Sequence, residues 1–447
     1  MATNKEQLTI KDKDRDKDII LFVGRINNDH VASVRDLEEL LDRKLKIGLI
    51  TTQNKKMSPE MEKKIDILIR CDMNKLNNIE DAVMKYRDKV LALMAKPEFS
   101  IELLTRVAPL FPYLRLSRNR SLRISNDKLE MRKTFRRYYP KISPKFIHVK
   151  KYSEAIIKQI IKDIGFPCVI KPTNLSGSKL IINCFYKEEL EKNLKDAMRK
   201  INSLVKKASV VTVPKIIVEE FMEGQMYSID AYVNTYGKMY YTPIIEIKTG
   251  KDAGYDDLFM YTQIAPSILS KEEEKKAQDV VNKGTHAIGL KSSTVHCELM
   301  KTSKGWKIIE LAGRPGGFRD EIFYHAFGFK HHLNDLLIHI GNKPIIKKKA
   351  KKHVVFMKFW PHKPGKIVAI KGLKKGKELK SLVRFRQNKK VGDYAGRSKH
   401  GHLSVVGFTL ATKTRADLLG DIRKLEKWIK IETVKRNGKV KKTKKKI

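Results

Sequence analysis

The stretch SSTVHCELMKTSKGWKIIELAGRPGG, residues 292–317, decides how this chain is read. Two strand-like runs flank a polar Ser-Lys-Gly turn, and Gly305 accepts the positive φ that a tight hairpin turn demands. A β-hairpin turning on Lys304 sets Glu298 opposite Glu310 and His296 opposite Ala312. Side chains alternate along a strand, so His296, Glu298 and Met300 share a face, as do Ile308, Glu310 and Ala312 on the return strand. Directly opposed residues have Cβ atoms about 4.5–5.5 Å apart, and like charges so placed are destabilising unless something neutralises them. A divalent cation does so, and oxygen-only ligands on adjacent strands suit magnesium, with manganese as its substitute. The plain alternative is a solvent-exposed hairpin face carrying two ordinary glutamates.

Upstream, CVIKPTNLSGSK (168–179) ends an apolar strand on Lys171 and follows it with a Ser/Gly turn. Backbone amides of such a turn can cradle phosphates, and the lysine would neutralise their charge. Lys128, in NDKLEMRK, carries a similar but weaker signal. IIVEEFMEGQMYSID (216–230) reads as two β-runs joined by an acidic linker with Gly224, able to present backbone N–H and C=O groups to an adenine edge. Each segment alone is compatible with simple structure.

Towards the N-terminus, IILFVG (19–24), a helical pattern to about Leu41, KIGLITT (46–52) and IDILIR (65–70) alternate strand with helix, which implies parallel pairing. The first strand runs into GRINNDH, without the GxGxxG that brings backbone against a pyrophosphate, so this Rossmann-like segment is not expected to bind a dinucleotide. RLSRNRSLRISNDKLEMRKTFRR (115–137) concentrates basic residues and cap residues at a junction. NKPIIKKKAKKH (342–353) breaks the chain again, and the runs VVFMKFW, KIVAIKG and LSVVGFTLA with a helix at about 414–431 read as a small α+β unit. KRNGKVKKTKKKI closes the sequence as a basic, solvated tail.

Composition bounds the partners. No apolar run approaches the roughly 18–20 residues of a membrane helix, and residues 1–20 lack the order of a secretory signal, so no membrane partner and a cytoplasmic site are expected. Cys71, Cys168, Cys184 and Cys297 have no metal-ligand spacing and read as buried thiols. The net charge of +44 attracts polyanions. A Lys-rich background composition explains it most simply; an anionic small substrate and nucleic acid are the alternatives, the latter without any aromatic-interleaved RNA motif. A homodimer is left open.

Taken in order, DK, VIKP with its Ser/Gly loop, VEEFMEG, HCE and IIELAGRPGG resemble the ATP-grasp superfamily over about 120–430. The combination HCEL…IIELAGRPGG with VEEFMEGQMYSID is most similar to the branch of L-amino-acid ligases and related carboxylate–amine ligases. The resemblance implies an α/β and α+β protein: a pre-ATP-grasp Rossmann-like domain (1–118), an ATP-grasp domain (119–345), a lid-like C-terminal domain as in biotin-carboxylase-like relatives (346–434) and the tail (435–447). It implies ATP and magnesium, a small carboxylic acid and an amine, amino acids among them, joined through an acyl phosphate. Carboxyphosphate, thioester or kinase chemistry, or nucleotide binding without turnover, would use the same site.

Carried over by position, Lys128 and Lys171 hold phosphate, Ser176, Gly177 and Ser178 form the loop over it, and Glu219, Glu220, Phe221 and Met222 form the adenine hinge. Glu298 and Glu310 are the metal ligands. Arg314 holds the acyl phosphate or substrate carboxylate, with Gly316 and Gly317 letting the chain turn beside it. His296 is a candidate base or orienting group. Met226 stands where many relatives have a ribose-binding Glu, which shifts that role to Asp230 or Tyr227 or leaves ribose recognition weaker. Ala312 stands where many have Asn. Lys248, Tyr261, His362, Arg384, Arg386 and Arg397 are candidates for the substrate side.

Overall fold

The computed structural model describes residues 8, 10–96, 98–173, 180–207, 215–255, 259–398 and 402–434. Strands β1 (Ile19–Val23), β2 (Lys46–Thr52), β3 (Ile67–Cys71) and β4 (Val90–Met94) form a parallel sheet in the order β3-β2-β1-β4. β1 and β4 are buried along their whole length, as unbroken apolar strands of a parallel sheet covered on both faces must be. After β1 the chain turns through Gly24 at φ +81°, where a Cβ would lie 2.5 Å from Ser100 Oγ. Asn27 and His30 then cap the helix Asn28–Leu41 reciprocally.

A second, antiparallel sheet holds β5 (Phe146–Val149), β6 (Cys168–Pro172), β7 (Ile182–Cys184) and β8 (Ile216–Glu220) in the order β5-β8-β6-β7. The third contains β9 (Gln225–Val233), β10 (Met239–Tyr241), β11 (Ile245–Thr249), β12 (Met260–Ala265), β13 (Ser293–Thr302), β14 (Gly305–Ala312), β15 (His353–Phe359), β17 (Leu382–Gln387) and β19 (Val406–Thr412). Its order is β14-β13-β9-β11-β12-β15-β19-β17, with β10 on β9. Strands from beyond the basic run at 342–353 thus extend the sheet that carries the glutamate hairpin, while β16 (Gly365–Lys371), β18 (Tyr394–Ala395) and β20 (Lys430–Val434) form a separate small sheet. The tail 435–447 lies outside the described residues.

The sheets pack on helices through apolar faces. Helix Lys271–Ile288 lies so close to the hairpin that a Cβ on Gly284 would fall 2.4 Å from Ile308 Cδ1. All four cysteines are buried thiols, as expected. Among the described residues no helix is long and apolar enough to cross a membrane.

Candidate active site

The hairpin β13–β14 has the register read from sequence: Glu298 pairs with Glu310 and His296 with Ala312. It gets there by a different route. The turn is tighter than a Lys304-centred one, Thr302 pairing with Gly305, and a β-bulge between Glu298 and Leu299 absorbs one extra residue on β14. The bulge also separates faces expected to be shared. Ile308 packs in the core beneath the sheet, whereas Ile309 and Glu310 both line the cavity above it.

That cavity, of about 540 Å³, lies between the second and third sheets. Lys128, Lys171, Glu298, Glu310 and Arg314 line it, together with the linker Glu220–Met226. Lys128 opens the helix Lys128–Tyr138, which Asp127 caps by accepting from the N–H groups of Leu129 and Glu130. Its backbone N–H donates to Thr173 O at 2.8 Å, fastening the helix to the end of β6. Lys128 Nζ then reaches Glu310 Oε1 at 3.2 Å. Burial works against the Glu310 carboxylate, but Lys128, Arg314 and His296 bring its pKa below the ordinary value.

Glu219, expected in the hinge, is not at the cavity. It is fully buried beneath it, because alternation along β8 turns it to the face opposite Glu220. Lys171 Nζ lies 2.7 Å from its Oε2 and Arg132 Nε 2.6 Å from its Oε1. Burial alone would raise the Glu219 pKa; the two cations bring it down to about 2. Arg132 also donates from Nη2 to Ile309 O at 2.6 Å, tying the lysine helix to the bulged residue. Arg132 was missed from sequence, although its spacing of four from Lys128 puts both on one helix face. Glu220, Phe221 and Met222 do line the cavity, and Gly224 is required there: at φ +151° a Cβ would meet Lys301 O at 2.0 Å. Ser176, Gly177 and Ser178 lie outside the described residues.

Asp230 and Tyr227 do not stand in for the ribose-binding Glu. Tyr227 points to the opposite face of β9, its ring 5.3 Å from Trp306 in the core. Asp230 is fully buried in a polar cluster: Oδ1 is 2.6 Å from His296 Nδ1, while Oδ2 accepts from Gly316 N at 2.8 Å and lies 2.8 Å from His331 Nε2. Met226 itself lines the cavity.

His296 therefore has both ring nitrogens committed, Nε2 lying 3.5 Å from Glu298 Oε1. Burial opposes its charged form, yet Asp230 and Glu298 raise its pKa above the ordinary value. His296 is thus held between two carboxylates and is not among the residues lining the cavity. Gly316 must be glycine, since a Cβ would come within 2.5 Å of His296 Nδ1; around Gly317 there is nothing within 4 Å, so its expected close approach is absent.

Two opposed carboxylates supply a hard oxygen pair. Among the described residues no group of three or more His, Cys, Asp or Glu side chains is arranged for a metal, so an ion here would complete its shell with water and phosphate oxygens. Magnesium prefers that arrangement, and the residues fit it. Of the remaining candidates, Tyr261 packs in the core and Lys248 is exposed. His362 stacks on Tyr255 at 4.5 Å, and its carbonyl accepts from Arg397. Arg384 and Arg386 pair with Glu321 at a second cavity that also touches Arg314. Lys358, missed from sequence, projects from β15 into the first cavity, with the Phe318, Phe356 and Trp360 rings 5.3–5.8 Å from its ammonium.

A protein-family model described as an ATP-grasp domain matches residues 164–320. A D-alanine--D-alanine ligase of Fervidobacterium nodosum is 28% identical over 155 residues, 33% of this chain; the match spans 45%, about half, of that relative's length. The crystal structure of an L-amino acid ligase from Bacillus licheniformis superposes with a TM-score of 0.76 at 15% identity, covering 95% of this chain and all of the other. N5-carboxyaminoimidazole synthetase from Staphylococcus aureus complexed with ADP gives 0.67 at 14% identity, over 92% of this chain and 97% of the other. Residues 164–320 thus match an ATP-grasp domain, and the chain as a whole shares the fold of these solved structures.

Proposed function

We propose that this chain is an ATP-dependent carboxylate–amine ligase, taking a small acid and an amine, amino acids among them, and forming an amide through an acyl phosphate. The observation that carries the reading is the opposition of Glu298 and Glu310 in one cavity with Lys128, Lys171 and Arg314. The hinge Glu220–Met226 borders the same cavity and suits an adenine edge. The names of the relatives, ligases for D-alanine and for L-amino acids and a synthetase complexed with ADP, support it.

In this reading Glu298 and Glu310 would hold magnesium, or manganese in its place, and the ion would neutralise phosphate charge. Lys128 and Lys171 bind phosphate oxygens, and the buried Glu219–Arg132 pair under Lys171 sets the direction of its ammonium. Arg314 holds the substrate carboxylate in line with the γ-phosphate, since phosphoryl transfer depends chiefly on positioning and charge neutralisation. His296, between Asp230 and Glu298, keeps the first metal ligand oriented. The amine then displaces phosphate from the acyl group.

The test is ADP and phosphate release with Mg-ATP against mixed amino acids and small carboxylates, in wild type and Glu310→Ala. Release should require both an acid and an amine, and by analogy with loss of one charge-stabilising group fall about 10²–10³-fold in the variant. Turnover that ignores the acid, or survives in Glu310→Ala, sinks the reading.

A further inference from the structure

Arg314 is the partition between two cavities. On one side is the nucleotide-sized space; on the other is a cavity of about 980 Å³ walled by the start of helix Asn28–Leu41, Lys96 beyond β4, the segment Pro315–Phe318, helix Arg319–Phe327 and β17. Lys96, just beyond β4, reaches this second cavity while only 9% exposed, and its ammonium has no hydrogen-bond partner among the described residues. Among the described residues no carboxylate lies within ion-pair distance of it, although Asp29, Asp320 and Asp335 are near enough to favour its charge. His332 Nδ1, in the same wall, is likewise buried and without a partner. A buried ammonium left without a hydrogen-bonded partner is costly, and two orphaned polar atoms in one cavity wall mark the place where a ligand supplies the missing partner.

We propose that this cavity is the acid subsite, and that it takes an acid bearing a second anionic group, whose reacting carboxylate meets Arg314 while the second anion pairs with Lys96. The assignment of the reacting carboxylate rests on the ligase reading. Three carboxylates line the cavity: Glu321 is neutralised by Arg384 and Arg386, while Asp29 and Asp320 share the wall with Lys96, Arg314 and Lys330. Charge on Lys96 is available at neutral pH: burial draws its pKa down to about 8, with the three aspartates resisting. The nearest imidazoles, His30 on helix Asn28–Leu41 and His332 on helix His331–His339, are both held neutral, by burial first and then by Lys96 itself.

The test compares isosteres on the full chain: glutamate with glutamine, aspartate with asparagine, and O-phosphoserine to separate phosphate from carboxylate. Binding is measured calorimetrically with Mg-ADP present, and acid activation as hydroxamate formed from Mg-ATP and hydroxylamine. At least one anionic acid should bind roughly tenfold or more tighter than its neutral isostere, the worth of a buried charged hydrogen bond. Lys96→Met should erase that preference and Lys96→Arg retain it. Raising the pH through about 8 should weaken it in wild type, as Lys96 loses its proton, but not in Lys96→Arg. Neutral isosteres binding as tightly as anionic acids, no binding by any anionic acid, or an undiminished preference in Lys96→Met overturns the proposal. Should Lys96→Met fail to fold, Lys96→Arg and the pH dependence decide. Anion-selective, Lys96-dependent binding without hydroxamate or ADP release would instead sink the ligase reading and leave the subsite standing.

Discussion

Replacing Glu219 by Gln removes one negative charge from a place no solvent reaches and leaves Arg132 and Lys171 around it without a counter-charge. The carboxyl pKa falls from an ordinary 4.5 to about 2 because the two cations outweigh burial. A difference of that size corresponds to about 3 kcal/mol of folding stability at neutral pH, and breaking a buried charge network generally costs about 3–5 kcal/mol. The sign follows from the depressed pKa: this contribution is complete above the unfolded value and is lost as pH falls from 4.5 through about 2. Urea unfolding followed by tryptophan fluorescence should therefore show Glu219→Gln less stable by about 3–5 kcal/mol at pH 7. The gap to wild type should narrow steadily below pH 4.5. Taking the difference between the two proteins cancels the titration of every other carboxyl. A second substitution, Arg132→Met, should recover part of the loss by removing one orphaned cation. A gap under about 1 kcal/mol, the worth of an exposed pair, or one that does not change with pH, would refute the account of Glu219 as the counter-ion that holds Lys171 in place.

Gly316→Ala should destabilise the protein by about 1–3 kcal/mol, the usual cost of overpacking, and lower turnover, because the new methyl meets His296; Gly317→Ala should melt within about 1 °C of wild type, for there the methyl meets nothing. Thermal melts of the pair check both. Tyr227→Phe should leave the KM for ATP within about twofold, since the ring packs against Trp306 and away from the cavity of Glu298 and Glu310; a tenfold rise would restore its ribose role.

Much of the site was legible in one dimension. The Glu298–Glu310 opposition follows from a hairpin, whose partners are set by a short turn and the period of two. The place of Glu220 to Met222 at the cavity was legible because a linker between β-runs exposes its backbone. Glu219, one residue earlier, was misplaced. Whether a strand residue faces a cavity or the layer beneath depends on which elements cover each face, and here the covering cation, Arg132, comes from a helix 87 residues away. Asp230 failed as a ribose ligand for the same reason: its partners His331 and Gly316 reach it only through folding. The bulge on β14 was invisible, and the right register was reached with a turn one residue too wide.

Sequence alone determined the parallel N-terminal sheet, the hairpin and the ordered run of phosphate, hinge and carboxylate motifs, because these depend on local periodicity and turn chemistry. Tertiary structure alone decided which charges are buried in pairs and which face a cavity. It joined the strands beyond residue 353 to the sheet of the glutamates, and it made Arg314 the wall between two cavities. Burial and ion pairing act over a few ångströms between residues up to hundreds of positions apart, and a linear pattern carries no record of those distances.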